Sequence, residues 1–324
     1  MKHRAGAALT LALAAGAAAG AAKLPASDSI QVARPAAIAR PYATGLRTIT
    51  IVERRRLRLP GGGSAPRTLV TLVRYPAVGR ASGHDLSRGR PLPGPFPLVV
   101  FGHGFAVTPA PYAALLRAWT RAGYVVAAPI FPLGNANASG GPNESDIANQ
   151  PGDLSAVISH LIAASRSRTG PFRGLINPHE IAVAGQSDGA ITALAAAYSP
   201  RYRDSRVDAA MILSGAELPG LGPFSFAPGS PPLLASQGTA DPVNNPKNTY
   251  RFFNQASRPK YLLQLLGAGH LPPYTSQQPQ LGIVERVTTD FLDRYLPAGH
   301  RPGAVHRLRR QGAVAGLAAV TADP

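Results

Sequence analysis

The stretch Gly185-Gln186-Ser187-Asp188-Gly189 constrains the fold of this chain more than any other. It lies between the apolar β-type run Ile181-Ala182-Val183-Ala184 and the helix-forming run Ala190-Ile191-Thr192-Ala193-Leu194-Ala195-Ala196, so it reads as strand, tight turn, helix. A serine in such a turn is held in strained backbone geometry, and glycines two residues to either side let the neighbouring strand and helix approach closely. The hydroxyl is lifted above the sheet. The N–H groups and positive dipole end of the following helix then face any negative charge that forms beside it. A G-x-S-x-G pentapeptide can arise from composition alone in a chain with 34 glycines. The strand before it and the small-residue helix after it are what make Ser187 a candidate nucleophile.

Such a unit belongs in a large sheet, and 324 residues suffice for one big α/β domain or two smaller ones. No mid-chain linker argues for two, so one catalytic domain is expected over residues 47–296. Hydrophobic content of 45% against 15% charged residues excludes a disordered chain. Residues 1–21 combine the charged start Met1-Lys2-His3-Arg4, an Ala/Leu/Gly run and the small-residue site Ala19-Gly20-Ala21. That is the pattern of a cleavable signal peptide, with an uncleaved anchor as the alternative, and it leads us to expect a secreted or periplasmic protein. Residues 22–46 read as an extended, Pro/Ala-rich segment and residues 297–324 as a basic tail. Without cysteine, neither a lipoprotein anchor nor a disulfide framework is available.

The net charge of +17 raises the question of a nucleic-acid partner. Arginine is concentrated at Arg54-Arg55-Arg56 and Arg58, and again at Arg307, Arg309 and Arg310. No helix-turn-helix pattern, zinc-ligand spacing or RNA-binding aromatic signature accompanies them. The expectation is a solvated basic surface with weak attraction to anionic cell-envelope surfaces, no specific nucleic-acid partner, and a monomer.

Along the chain, residues 47–52 and 67–75 alternate apolar with polar about the turn former Pro60-Gly61-Gly62-Gly63-Ser64, the pattern of an antiparallel pair half exposed to water. Leu98-Val99-Val100-Phe101 is wholly apolar, as in a strand covered on both faces, and runs into Gly102-His103-Gly104-Phe105. A helix carrying Tyr112, Leu115, Leu116 and Trp119 and a strand at Tyr124–Ala128 complete a right-handed parallel crossover. The polar loop from Phe131 to Gly152 follows a strand's carboxyl end, where ligands bind in open α/β sheets. It is expected to wall a substrate cleft, with Phe131 lining it; a plain surface loop is the alternative. An amphipathic helix follows, with Asp153 as its expected N-cap. Strands at residues 209–213, 233–236 and 260–265 and a last amphipathic helix from Ile283 to Tyr295 close the domain.

A serine hydroxyl is a poor nucleophile at neutral pH. It needs a histidine to take its proton and a carboxylate to orient that histidine. His270, in Gly267-Ala268-Gly269-His270, directly follows one strand, and Asp241, in Gln237-Gly238-Thr239-Ala240-Asp241-Pro242, directly follows another. Both lie at the same sheet edge as Ser187, in the chain order Ser, Asp, His. Asp208 and Glu217 are rivals for the acid, and His300 and His306 for the base. Two main-chain donors are required for a tetrahedral intermediate. The expected pair is the N–H of Asp188 and the N–H of Phe105, with His103 bracing the Phe105 loop and Phe105 also contacting substrate.

The residues 96–105, Phe96-Pro97-Leu98-Val99-Val100-Phe101-Gly102-His103-Gly104-Phe105, together with the Ser187 pentapeptide and the Asp241 and His270 contexts, resemble the α/β-hydrolases. The nearest branch is that of cutinase-like polyester hydrolases, chlorophyllases, platelet-activating-factor acetylhydrolases and dienelactone-hydrolase-like proteins. The resemblance implies an eight-stranded, mostly parallel sheet with helices on both faces and antiparallel strands at the N-terminal edge. It also implies no cofactor and no metal, and hydrolysis of small or lipid-like carboxylic esters through an acyl-serine. By the same resemblance, Ser187 is nucleophile, His270 base and then acid, Asp241 the orienting carboxylate, and Phe105 and Asp188 the oxyanion donors. Two positions depart from the pattern: Gln186 stands where many members have His, and Asp188 replaces an apolar or small residue. The expectation is an exported esterase for short- to medium-chain esters. An amide or peptide hydrolase with the same residues, a catalytically silent binding protein on this fold, and a basic envelope or nucleic-acid binder are the alternatives.

Overall fold

A computed structural model describes residues 41–58, 63–296 and 302–324. The expected signal peptide at 1–21, most of the 22–46 segment and His300 lie outside the described residues. Among the described residues ten strands form one sheet, in the order β10-β9-β8-β7-β6-β4-β5-β2-β1-β3. The hairpin expected from alternation is β1 (Ala43–Arg58) with β2 (Ser64–Ala77), antiparallel in register from Ala43 opposite Ala77 to Glu53 opposite Arg67. Six strands run parallel at the centre: β4 (Phe96–Gly102), β5 (Val125–Ile130), β6 (Ile176–Gln186), β7 (Ala209–Leu213), β8 (Leu233–Gly238) and β9 (Lys260–Leu265). Their apolar, unalternating sequences follow from burial on both faces.

The eight strands legible in the sequence are these. Two short edge strands are added: β3 (Asp85–Ser87), parallel to β1, and β10 (Ala318–Asp323), antiparallel to β9. The second of these corrects the domain boundary. Residues 302–324 are not a tail, because helix α7 (Ala304–Gly312) buries Leu308 against the sheet and β10 pairs the edge of β9. An unpaired β9 would present a row of bare N–H and C=O groups, and β10 satisfies them.

Successive residues of each central strand feed two different layers. On one face Leu98, Val100, Ile181 and Val183 pack with helices α2 (Gln150–Arg166), α3 (Asp188–Tyr198) and α4 (Pro246–Gln255). On the other, Val99, Phe101, Ala182 and Ala184 pack with α1 (Ala113–Arg121), the short α5 (Pro272–Thr275), α6 (Gln280–Tyr295) and α7. Trp119, fully buried, donates its indole N–H to Thr288 Oγ1 at 2.8 Å and so ties α1 to α6. The chain leaves β4 toward β5 and then returns to the other side of β4 to form β6. This reversal opens a crevice between the carboxyl ends of β4 and β6, the place where ligands bind in open α/β sheets.

Candidate active site

Ser187 sits at that crevice, between β6 and α3. Its φ of 56° and ψ of −123° place a non-glycine residue in a backbone region that costs about 1–3 kcal/mol to hold. The surroundings impose this geometry. The Ser187 N–H donates to Leu213 O at 3.0 Å, and its carbonyl accepts from the N–H groups of Ala190 and Ile191 at 2.8 and 2.9 Å. The flanking glycines are required by contact: a Cβ on Gly185 would fall on the carbonyl of Gly189, and one on Gly189 on the carbonyl of Gly102. The turn is thus wedged between β4 and α3 with no room for a side chain.

Three residues far apart in the sequence meet there. His270 Nε2 lies 2.9 Å from Ser187 Oγ, and His270 Nδ1 lies 2.8 Å from Asp241 Oδ2. A carboxylate accepts, so Nδ1 carries the proton and Nε2 is left to accept from the serine hydroxyl. Asp241 is itself held: its Oδ1 accepts the N–H groups of Val243 and Asn244 at 2.9 Å each, and its Oδ2 accepts from Gln237 Nε2 at 3.1 Å. Burial alone would push this carboxyl up, but the hydrogen bonds from His270, Asn244 and Val243 outweigh burial and leave it below the usual carboxylate range. Of the rival acids, Asp208 accepts the N–H of Ile181 in the middle of β6, and Glu217 accepts from Gln255 Nε2 at 3.4 Å. His306 lies on α7.

The loop after β4 lies against the serine. A Cβ on Gly104 would come within 3.2 Å of Ser187 Cβ, which brings the backbone just before Phe105 against the serine. The Gly104 N–H is spent on Tyr112 Oη at 3.3 Å. The N–H groups of Phe105 and Asp188 have no partner among the described residues. His103 braces this loop: its Nδ1–H donates to Gly104 O at 2.8 Å and its Nε2 accepts the Phe131 N–H at 3.0 Å. Both ring nitrogens are used by the neutral tautomer, and burial lowers the His103 pKa to about 4.

Phe131 does not line the cleft. It is fully buried, its ring 4.7 Å from that of His103, and it supports the loop from beneath. The loop it begins does flank the site: Ala106 N–H donates to Gly134 O and Ala136 N–H to Val107 O, at 2.9 and 3.1 Å. Asp153 is likewise not an N-cap. Helix α2 starts at Gln150, and Asp153 joins Asp146 on the guanidinium of Arg67. Phe105 is 37% exposed and Val243 71% exposed, leaving apolar surface at the rim on the Phe105 and Asp241 sides.

Asp188 follows the serine with its carboxyl turned inward. The residue is 8% exposed, and one carboxyl oxygen is buried without a hydrogen-bond partner. Burial, with the charge of Glu144 adding to it, raises its pKa to about 6. Nothing in the pentapeptide announced this, because burial of the first residue of α3 depends on the loop folded over it.

No protein-family model and no curated protein matches the sequence. Among solved structures, the chain is similar to the ferulic acid esterase of Streptomyces cinnamoneus, with 20% identity and a TM-score of 0.61, over 89% of this chain and 98% of that one. With its central parallel strands, antiparallel edges and strand-turn-helix at Ser187, the chain has the α/β-hydrolase fold.

Proposed function

We propose that this protein is an exported serine esterase that cleaves carboxylic esters of short to medium acyl chain through an acyl-serine intermediate. The observation that carries the reading is His270 bridging Ser187 and Asp241 at 2.9 and 2.8 Å beside two unused main-chain N–H groups. Ser187 Oγ attacks the ester carbonyl carbon while His270 Nε2 takes its proton. Asp241 steadies the imidazolium that results, and the N–H groups of Phe105 and Asp188 receive the oxyanion. The imidazolium then protonates the departing alkoxide. Water repeats the sequence on the acyl-enzyme and returns the free serine.

The ester-hydrolase reading is supported by the similarity to a ferulic acid esterase, which puts aromatic acyl esters on the test panel beside aliphatic ones. Export is supported by the pattern of residues 1–21, and the basic surface suits weak association with anionic envelope polymers. The test is hydrolysis of p-nitrophenyl esters of graded chain length, with matched anilides as the amide arm. Turnover by the wild type that is lost in Ser187→Ala supports the reading, and undiminished turnover in Ser187→Ala overturns it.

A further inference from the structure

Gln186, the last residue of β6, is 1% exposed and touches both loops that carry the proposed machinery. Its Oε1 accepts the hydroxyl of Tyr112 at 2.7 Å, and that hydroxyl in turn accepts the Gly104 N–H at 3.3 Å. In the other direction, its amide nitrogen donates to the main-chain carbonyl of His270 at 3.1 Å. It also lies 3.3 Å from His270 Nε2, the nitrogen that faces Ser187.

The bonding leaves the amide one orientation. Turned by half a revolution, its oxygen would meet the carbonyl oxygen of His270, and the Tyr112 hydrogen would have no acceptor, since its other neighbour is a donor. A buried carboxamide costs free energy unless it is hydrogen-bonded, and an apolar side chain of the same length would fill the space without that cost. What the amide adds is a fixed connection between two loops that approach the serine from opposite sides of β6. The loop after β4 brings the Phe105 N–H, and the loop after β9 brings the imidazole. The flanking helices α1 and α5 already pack together, and the amide adds a direct bond at the reacting groups themselves, where relative placement matters most to the reaction.

We propose that Gln186 is a positioning residue that latches the oxyanion loop, through Tyr112 and Gly104, to the main chain of His270, fixing the spacing between oxyanion donor and base. The proposal rests on the esterase reading of this site. Gln186 touches no substrate in this scheme and acts on kcat rather than on binding.

The test compares Gln186→Met, Tyr112→Phe and their combination. Each single change is expected to lower kcat about 10- to 100-fold with KM within about twofold, the cost of a displacement on the order of 1 Å. The double variant should fall no further than the worse single one, because both remove the same connection. Gln186→Glu, which keeps the acceptor for Tyr112 but has no donor for the His270 carbonyl, should remain as slow as Gln186→Met. The second readout needs no turnover. The proton between His270 Nδ1 and Asp241 should give a downfield resonance in the wild type, absent from His270→Gln, and Gln186→Met should broaden it into exchange with water. If the wild type cleaves no ester yet the resonance is lost in Gln186→Met, the esterase reading fails and the latch stands. Ester turnover and a resonance that both survive in Gln186→Met overturn the latch, as do strictly additive effects of the two substitutions.

Discussion

Arg67 on β2 and Asp146 in the loop before α2 form a fully buried ion pair, Nη1 to Oδ1 at 2.8 Å and Nη2 to Oδ2 at 3.0 Å. Asp153, on α2, accepts from Nη2 and Nε of the same guanidinium at 2.5 and 2.6 Å. Burial disfavours the charged guanidinium, but the bonds to the two carboxylates outweigh it and hold the proton more tightly than usual. The pair does more than stabilise β2. Asp146 also accepts from the Leu133 N–H at 3.3 Å and from Asn149 Nδ2 at 3.0 Å, so it anchors both ends of the loop that supports Phe105.

Removing the cation should therefore be costly. Arg67→Met takes away the cation that two buried carboxylates share, and breaking such an arrangement costs about 3–5 kcal/mol. Urea unfolding at neutral pH measures it directly. A loss below about 1 kcal/mol would mean that water reaches the cluster and that burial of the charges is not what makes it matter.

That cluster also shows where sequence reading stops. Alternation in residues 67–75 puts Arg67 on the same strand face as Leu69 and Val73, the buried one, so a charge facing the core was visible. Its partners were not, being 79 and 86 residues away, and Asp153 read more simply as a cap. The meeting of Ser187, Asp241 and His270 was legible because each follows a parallel strand, and strand ends converge without knowledge of side-chain packing. Phe131 has a strand-end position too, but which way an aromatic ring turns from a strand end is decided by its neighbours, here His103. The final strand was hidden by composition. Residues 318–323 are mostly small and partly exposed, and they become a strand only because β9 offers an open edge.

The strained turn can be probed without reference to catalysis. Ser187 holds a positive φ that glycine tolerates freely, so Ser187→Gly should be at least as stable as Ser187→Ala, by up to about 1 kcal/mol after the greater chain entropy of glycine is subtracted. Chemical denaturation of the two variants side by side decides it. A clearly more stable alanine variant would place the strain elsewhere than in the serine backbone.

Asp188 should make stability depend on pH in an identifiable window. Its folded pKa, about 6, lies above the usual 3.8, so the native state carries a penalty that is fully present above pH 6 and fades as pH falls toward 3.8. Asp188→Asn removes the charge and should stabilise the protein at pH 8 by an amount on the order of 3 kcal/mol, the free-energy equivalent of that shift. By pH 4 the gain should have largely gone, because the carboxyl is then protonated in the native state and only partly ionised in the unfolded one. Urea midpoints of the two proteins at pH 8, 6 and 4 test this, and a difference that does not change with pH would refute it.

Asp241→Asn carries the sharpest expectation for the reaction itself. Oδ1 of Asp241 accepts two main-chain N–H groups, from Val243 and Asn244, so an asparagine there must keep its oxygen on that side. Its NH2 group then falls where Oδ2 was, against His270 Nδ1. A donor facing Nδ1 forces that nitrogen to accept, which moves the imidazole proton to Nε2. Nε2 would then point an N–H at Ser187 Oγ and be unable to take the serine's proton. The side chain keeps its shape and two of its bonds, and Gln237 Nε2, which loses Oδ2 as an acceptor, keeps the carbonyls of Gly238 and Asn244 at 3.0 and 3.3 Å, so the fold should be retained. The expected result is a well-folded protein with near-normal KM and kcat lowered about 10⁴-fold. Labelling of Ser187 by a fluorophosphonate probe should slow in parallel, because the same proton transfer is needed. A variant that retained more than a tenth of wild-type kcat would show that Asp241 does not set the tautomer, and the role proposed for it would have to pass to another group.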